Sequence, residues 1–360
     1  MGSFPEPIRI LAVADVWQGS NAYAYVRAFR RMGHSVTVLP PEKYVPSTWQ
    51  SKSLRAGRRL LEPLIVREYT EALIDEARHL RPHLFFVFKG RYVAAEAVRA
   101  IRELGTVAVN VYPDVSFMAH GPYLPQALPM YDWVFTTKTF GLTDLEQLIG
   151  VCHASFIPHS YDPETHAPLE LDDEDRARYA CDVSFIGTWS PKKQRLLEHV
   201  QSDLPSIHLR VWGEQWGKTT SLGSCVTRCG VYGSEYAKAI AGSKINLAIL
   251  SEARLGASSG DLTTSRTFHI PATGAFMLHE RSAELLEYYE EGVECACFGT
   301  VEELVNKIGY YLERIEERQA VAAAGRRRAL ESGYSVDCRA TEILEKAREI
   351  GAVRAEMVQA

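Results

Sequence analysis

The sequence predicts two α/β units, each a doubly wound parallel sheet flanked by helices, and three observations lead there. At 360 residues the chain is long for one hydrophobic core and suits two domains of about 150 to 180 residues. Its strands read as runs buried on both faces, as in residues 8–14 and 84–88, which is the habit of parallel sheets. Strands and helices alternate, and the order restarts at Cys181 after an acidic, polar stretch.

Composition narrows the function. With 46% hydrophobic residues both cores can be filled, and 40 Lys plus Arg against 45 acids give a net charge of −5 and a pI near 6.2. No overall positive field is available to hold nucleic acid. Seven cysteines, odd in number and thinly spread, form no disulfide framework. The N-terminus carries prolines in place of a charged start and an apolar run, and no stretch approaches the roughly 18 apolar residues of a membrane span. A soluble protein of a reducing, cytoplasmic compartment is expected.

In the first half, strand 8–14 ends at Asp15, and a turn with Ser20 or Asn21 as cap opens a helix through Tyr25 and Phe29 to Gly33. Strand 35–39 follows. The turn lacks the three-glycine pattern of dinucleotide sites, so no cofactor is assigned to it. Residues 44–59 read as an exposed excursion, with Arg55, Arg58 and Arg59 on a solvated face. Then come helix 63–80, strand 84–88, helix 93–104, strand 106–111, strand 132–137 and helix 142–149, stopped by Gly150. Ligands gather beyond the carboxyl ends of such strands, which singles out Asp15 to Asn21, residues 89–91, 110–121 and 136–139. Asp114 and His120, with Asp15, are candidates to orient or deprotonate an acceptor hydroxyl. The plainer readings are a turn cap after Pro113 and an ordinary surface histidine.

In the second half, strand 181–187 closes at Gly187 and Thr188, and Ser190 with Pro191 opens a helix carrying Lys192, Lys193 and Arg195. Cations in a helix's first turn oppose its dipole, and with the glycine turn they make a diphosphate site. The spacing is not that of a P-loop. Strand 207–212 ends at Gly213, and Gly230-Val-Tyr-Gly233 precedes a helix capped by Ser234, so that Gly213, Val231 and Tyr232 are placed to clamp a nucleobase. Strand 243–250 is central. Strands 275–278 and 294–298 and helices 301–315, 317–331 and 336–357 finish the chain, and Arg326 to Arg328 read as solvated. Cys225 and Cys229 lack a second ligand pair for zinc, and Cys295 and Cys297 read as packed small hydrophobes.

Residues 261–278 carry most of the argument. Thr264 or Ser265 caps a short helix, bent at Pro271 and stopped by Gly274. Arg266 and His269 lie one turn apart, about 5–6 Å between Cβ atoms, which suits a phosphate and its ribose. The alternative is an amphipathic helix with a solvated arginine.

Several motifs resemble the CgeB-type, spore-maturation-protein-like glycosyltransferases: Tyr131-Asp-Trp-Val-Phe-Thr-Thr137, Val183-Ser-Phe-Ile-Gly187, Gly230-Val-Tyr-Gly233, Ser243-Lys-Ile-Asn-Leu247, Arg266-Thr-Phe-His-Ile-Pro-Ala-Thr-Gly-Ala-Phe276 and Glu302-Glu-Leu304. The resemblance implies the GT-B architecture, two Rossmann-like domains facing each other across a cleft. The acidic, polar stretch is taken as a linker at 166–180 between an acceptor-side domain at 1–165 and a donor domain at 181–335, and a last helix, 336–360, can pack back on the first domain. The resemblance also implies transfer of a sugar from a nucleotide-diphosphate donor to an acceptor that the sequence does not name. The fold class often has two glutamates with seven residues between them; Asp261 and His269 keep that spacing, with His269 where the second glutamate usually holds the ribose. A neutral imidazole offers one donor and one acceptor where a carboxylate only accepts. Asp261 is then expected near the donor sugar. Gly187, Thr188, Gly213, Val231, Tyr232, Thr267 and His269 are expected around the nucleotide, and Arg266 with Lys192, Lys193 or Arg195 on the diphosphate. Fixed cations stabilise charge that grows in the transition state, so neither metal nor further cofactor is expected. A nucleotide-sugar epimerase or a non-catalytic nucleotide- or sugar-binding protein are the alternatives.

Overall fold

The computed structural model describes residues 7–45, 52–227 and 230–359, the side chains of 52–56, 58, 59 and 354–359 excepted. Contacts divide the chain into two compact units, Met1–Pro158 with Ala253–Ser259 and Asp337–Ala360, and His159–Glu252 with Gly260–Val336. The chain thus passes from one to the other at Pro158, ahead of the 166–180 stretch, and part of that stretch is helical.

The first unit holds β1 (Arg9–Val13), α1 (Asn21–Arg31), β2 (Ser35–Val38), α2 (Lys52–Leu80), β3 (Leu84–Phe88), α3 (Ala95–Glu103), β4 (Val107–Tyr112), α4 (Tyr123–Ala127), β5 (Trp133–Thr136), α5 (Gly141–Asp144) and β6 (Ala154–Phe156). All strands are parallel, in the order β2-β1-β3-β4-β5-β6. The order reverses between β1 and β3, so the loops after these two strands diverge and leave room above the sheet. Ser20 caps α1 by accepting from Ala22 N at 3.2 Å. On α2 the residues Val66, Tyr69, Leu73 and Ala77 recur at helical spacing and are all buried in the core. Each large side chain in that stripe contributes about 1.5–3 kcal/mol.

The helix expected from Pro63 begins earlier, at Lys52, and holds Pro63 in its interior. Proline removes one ladder bond without forbidding helix on either side. Residues 46–51 of the expected excursion and the side chains of Arg55, Arg58 and Arg59 lie outside the described residues. The segment 253–259 is fastened to this unit by Ser116 Oγ, which donates to Leu255 O at 2.7 Å, and by Ser258 N, which donates to Asp144 at 3.0 Å.

The second unit comprises α6 (Asp173–Tyr179), β7 (Cys181–Ile186), α7 (Pro191–Asp203), β8 (Leu209–Trp212), β9 (Val226–Thr227), α8 (Ser234–Ala241), β10 (Ser243–Ala248), α9 (Ser265–Ala272), β11 (Met277–Glu280), α10 (Ala283–Tyr288), β12 (Ala296–Phe298), α11 (Val301–Glu313) and α12 (Ile315–Glu331). Its sheet is also parallel, in the order β12-β11-β10-β7-β8-β9. β7 and β10 are central, and here the order reverses. The final helix, α13 (Val336–Gln359), belongs almost wholly to the first unit, where Asp337 pairs with Arg31 at 2.7 Å and Lys346 lies 4.4 Å from the Trp133 ring.

Two smaller expectations change. Gly233, at φ 55°, is the N-cap of α8, with Ser234 its first residue. Arg328 is held by Tyr288 O at 2.9 Å, and Arg326 and Arg328 are half-buried, leaving Arg327 exposed. Cys295 and Cys297 are buried in the sheet, and Cys229 lies outside the described residues.

Candidate functional site

The reversal point of the second sheet is bridged by one side chain. Arg266, in the first turn of α9, donates to Ile186 O at 3.2 Å and to Ile249 O at 2.7 Å, the carbonyls that end β7 and follow β10. Its guanidinium stands 5.2 Å from the Phe185 ring. A guanidinium has five N–H donors, and its Nε is buried without a partner, so donors remain to spare. Burial pulls its pKa below the usual arginine value, while Tyr236 and Asp261 act the other way.

Gly187 makes this possible, because a Cβ there would lie 2.9 Å from the Arg266 guanidinium. Gly213, at φ +140°, lies against the Gly187 carbonyl, 2.2 Å from where its own Cβ would stand. Two strand ends therefore meet backbone to backbone.

The first turn of α7 reaches the same place. Ser190 is its N-cap and Pro191 its first residue. Lys193 is buried, donates to Thr188 O at 3.3 Å and Ser251 Oγ at 3.2 Å, and lies 5.9 Å from the Phe185 ring that Arg266 also faces. Lys192 pairs with Glu280 at 2.6 Å and donates to Leu250 O at 3.3 Å. Three expected cations thus converge on the ends of β7 and β10, whereas Arg195 is exposed and makes none of these contacts. The helix N-terminus already carries an anion, Glu252, which accepts from Lys192 N at 3.1 Å. Burial works against its ionisation, but bonds from Ser190 and Lys192 hold its carboxyl below the usual range.

The other expected donor contacts are arranged differently. Asp261 closes the base of the loop after β10: its N donates to Ser251 O at 2.9 Å and its carboxylate accepts from Ser251 N at 3.3 Å. Thr267 is buried, accepts from Thr264 N at 3.0 Å and donates to His279 Nε2 at 2.8 Å. His269 is 5% exposed; Nε2 donates to Ser160 O at 3.1 Å, Nδ1 accepts from Tyr236 Oη at 3.2 Å, and the ring stacks on His166 at 3.7 Å. Burial, with His166 beside it, pushes its pKa well down. Both ring nitrogens are spent on the protein, so this imidazole has no group left for a ribose in this conformation. Val231 is buried, and Tyr232, half exposed, donates to Glu214 at 3.0 Å.

In the first unit, the loops after β3 and β4 bring Lys89, Asp114 and His120 together. Asp114 Oδ2 lies 2.7 Å from Lys89 Nζ and 2.7 Å from His120 Nε2. Burial opposes the charge on Asp114, yet the His120 hydrogen bond and the Lys89 cation hold its carboxyl well below the usual range. A neutral His120 that donates from Nε2 presents its lone pair at Nδ1. Lys89 itself sits at φ 66°, ahead of Gly90 at φ 83°, a backbone turn that aims its side chain at the β4 loop. Asp15 does not join this group; it bonds Glu42, whose carboxyl is pushed up to about 7 by desolvation and by Asp15.

Sequence reasoning missed Glu252, Glu280 and Glu42. Each follows a strand or ends one, and the strand-end rule that singled out Asp15 and Asp114 would have found them if carried to β2, β10 and β11 as well.

Two parallel six-stranded sheets, each with its own reversal point, can be compared with solved structures. The chain superposes on sucrose-phosphate synthase from Thermosynechococcus elongatus with a TM-score of 0.65 at 13% identity, over 96% of this chain and 100% of that one. It superposes on Anabaena HepE in complex with UDP-glucose with a TM-score of 0.63 at 13% identity, over 94% and 100%. The fold is GT-B. A UDP-N-acetylglucosamine 2-epimerase structure from Listeria monocytogenes is similar too, with a TM-score of 0.57 at 10% identity over 98% and 97%. Residues 192–345, most of the second GT-B unit, match a family model described as glycosyl transferase-like. That match gives glycosyl transfer as the activity class. No curated protein matches the sequence.

Proposed function

We propose that the chain transfers a sugar from a nucleotide-diphosphate donor, held at the β7–β10 reversal point of the second unit, to an acceptor hydroxyl deprotonated in the first unit. The observation that carries this reading is Arg266, a cation with unused donors over the ends of two central strands. In the reaction the acceptor oxygen bonds to the anomeric carbon while the bond from that carbon to the diphosphate oxygen breaks. The electron pair leaves on the diphosphate, where Arg266 and Lys193 stabilise it, and the acceptor proton passes to His120 Nδ1. These cations take the part a divalent ion plays elsewhere, so chelators leave turnover intact. The UDP-glucose held by the Anabaena neighbour makes uridine diphosphate sugars the first donors to try. The CgeB-type motifs agree with this reading.

The Listeria neighbour supports an epimerase as second reading. An epimerase converts the donor with no acceptor present, and a transferase releases nucleoside diphosphate only as fast as an acceptor or water takes the sugar. The binding half is tested by thermal shift with UDP: saturation at about 100 times Kd stabilises by about 2.7 kcal/mol. Arg266→Lys, which keeps charge but not the forked donors, is expected to lose most of that shift. An unchanged shift would move the site elsewhere.

A further inference from the structure

We infer that Glu252 is a built-in competitor for the donor's diphosphate: its carboxylate occupies the N-terminus of α7 and has to leave before a diphosphate can use those donors. This rests on the donor reading above. The helix opens with Pro191, which has no N–H, so its first amide donors belong to Lys192 and Lys193. Lys193 N is taken by Ser190 Oγ at 3.4 Å. Lys192 N is taken by Glu252 Oε1 at 3.1 Å, and the Ser190 side chain also bonds that carboxylate. An acidic group from a distant loop therefore fills the position that the helix dipole reserves for an anion.

Lys192 favours the charge on this carboxylate, but its ammonium has an acid partner of its own. The Lys192 ammonium is 2.6 Å from Glu280, which in turn accepts from Leu250 N at 2.9 Å. Lys193 and Arg266 point to carbonyls. With Glu280 serving Lys192, displacement of Glu252 makes the cluster of Lys192, Lys193 and Arg266 more cationic. Glu252 lies in the loop after β10, outside any helix or strand, and is only partly buried, so turning it away breaks no sheet bond. A ligand with no phosphate has nothing to offer in exchange; a phosphate replaces the carboxylate and adds charge, and a diphosphate adds more. Glu252 in this way disfavours ligands without phosphate.

The test is calorimetric titration of the full chain, wild type, Glu252→Gln and Glu252→Ala, with UDP, inorganic pyrophosphate and uridine. Both variants are expected to bind UDP and pyrophosphate about tenfold more tightly than wild type, a difference of about 1.4 kcal/mol, with uridine unchanged. The glutamine keeps an oxygen for Lys192 N, which protects the fold. Wild-type binding of UDP with equal or weaker binding by both variants overturns the inference and leaves the donor reading standing. Absence of UDP and pyrophosphate binding in all three proteins overturns both.

Discussion

His120 owes its chemistry to a single neighbour. Asp114 accepts from Nε2 at 2.7 Å, which fixes the ring and leaves Nδ1 as the basic atom. The carboxyl of Asp114 is held below its ordinary range, so the sign is that of a depressed acid: its contribution to stability is complete above the unfolded value of about 4 and fades as pH falls below that. The pair therefore persists through mild acid. His120→Ala is expected to slow transfer to the acceptor by about 10² to 10⁴ while leaving UDP affinity unchanged, and Asp114→Asn to fall between. Single-turnover transfer and UDP titration together read this out. A transfer rate untouched by His120→Ala would remove the residue from the chemistry.

At the scale of elements, the contact of Gly213 with Gly187 sets how closely β7 and β8 end beside each other. Gly213→Ala puts a carbon 2.2 Å from the Gly187 oxygen and asks for φ +140° from an alanine, so the strand ends have to part. A loss of more than about 2 kcal/mol in denaturant unfolding is expected, with weaker UDP binding because Gly187 also bears on Arg266. Elements of this kind were legible in advance where a local pattern marks them. Buried runs marked the strands, Ser190 and Pro191 marked the start of α7, and Ser20 that of α1. The start of α2 was not legible, because Pro63 reads as a beginning and only packing of the later turns carries the helix through it. Nor was the fate of His269. Spacing sets it on the helix beside Arg266, but its ring is taken by His166, Tyr236 and Ser160, all distant in sequence. Cations at strand ends could be read from one segment at a time, whereas the acids that answer them, Glu252 and Glu280, come from other segments.

At the scale of the molecule, two buried neutral histidines tie the second unit to pH. His279, wholly buried, is pushed down to about 4 by burial, and His269 is shifted in the same direction. The unfolded chain binds these protons more readily than the folded one, so stability is flat above about pH 6.5 and is lost as pH falls from there toward 4. For His279 alone the loss is expected to reach roughly 3 kcal/mol. Thermal unfolding from pH 8 to 4.5 should show it, and His279→Gln should flatten the curve if that imidazole is responsible.

The division of the chain also bears on how it is made. Because Ala253–Ser259 and Asp337–Ala360 are assigned to the same unit as Met1–Pro158, that unit receives its last helix only after the whole of His159–Val336 has been made. All strands of the second sheet are therefore made before α13, so during synthesis that sheet can close while the first unit, its own six strands complete, still lacks this helix.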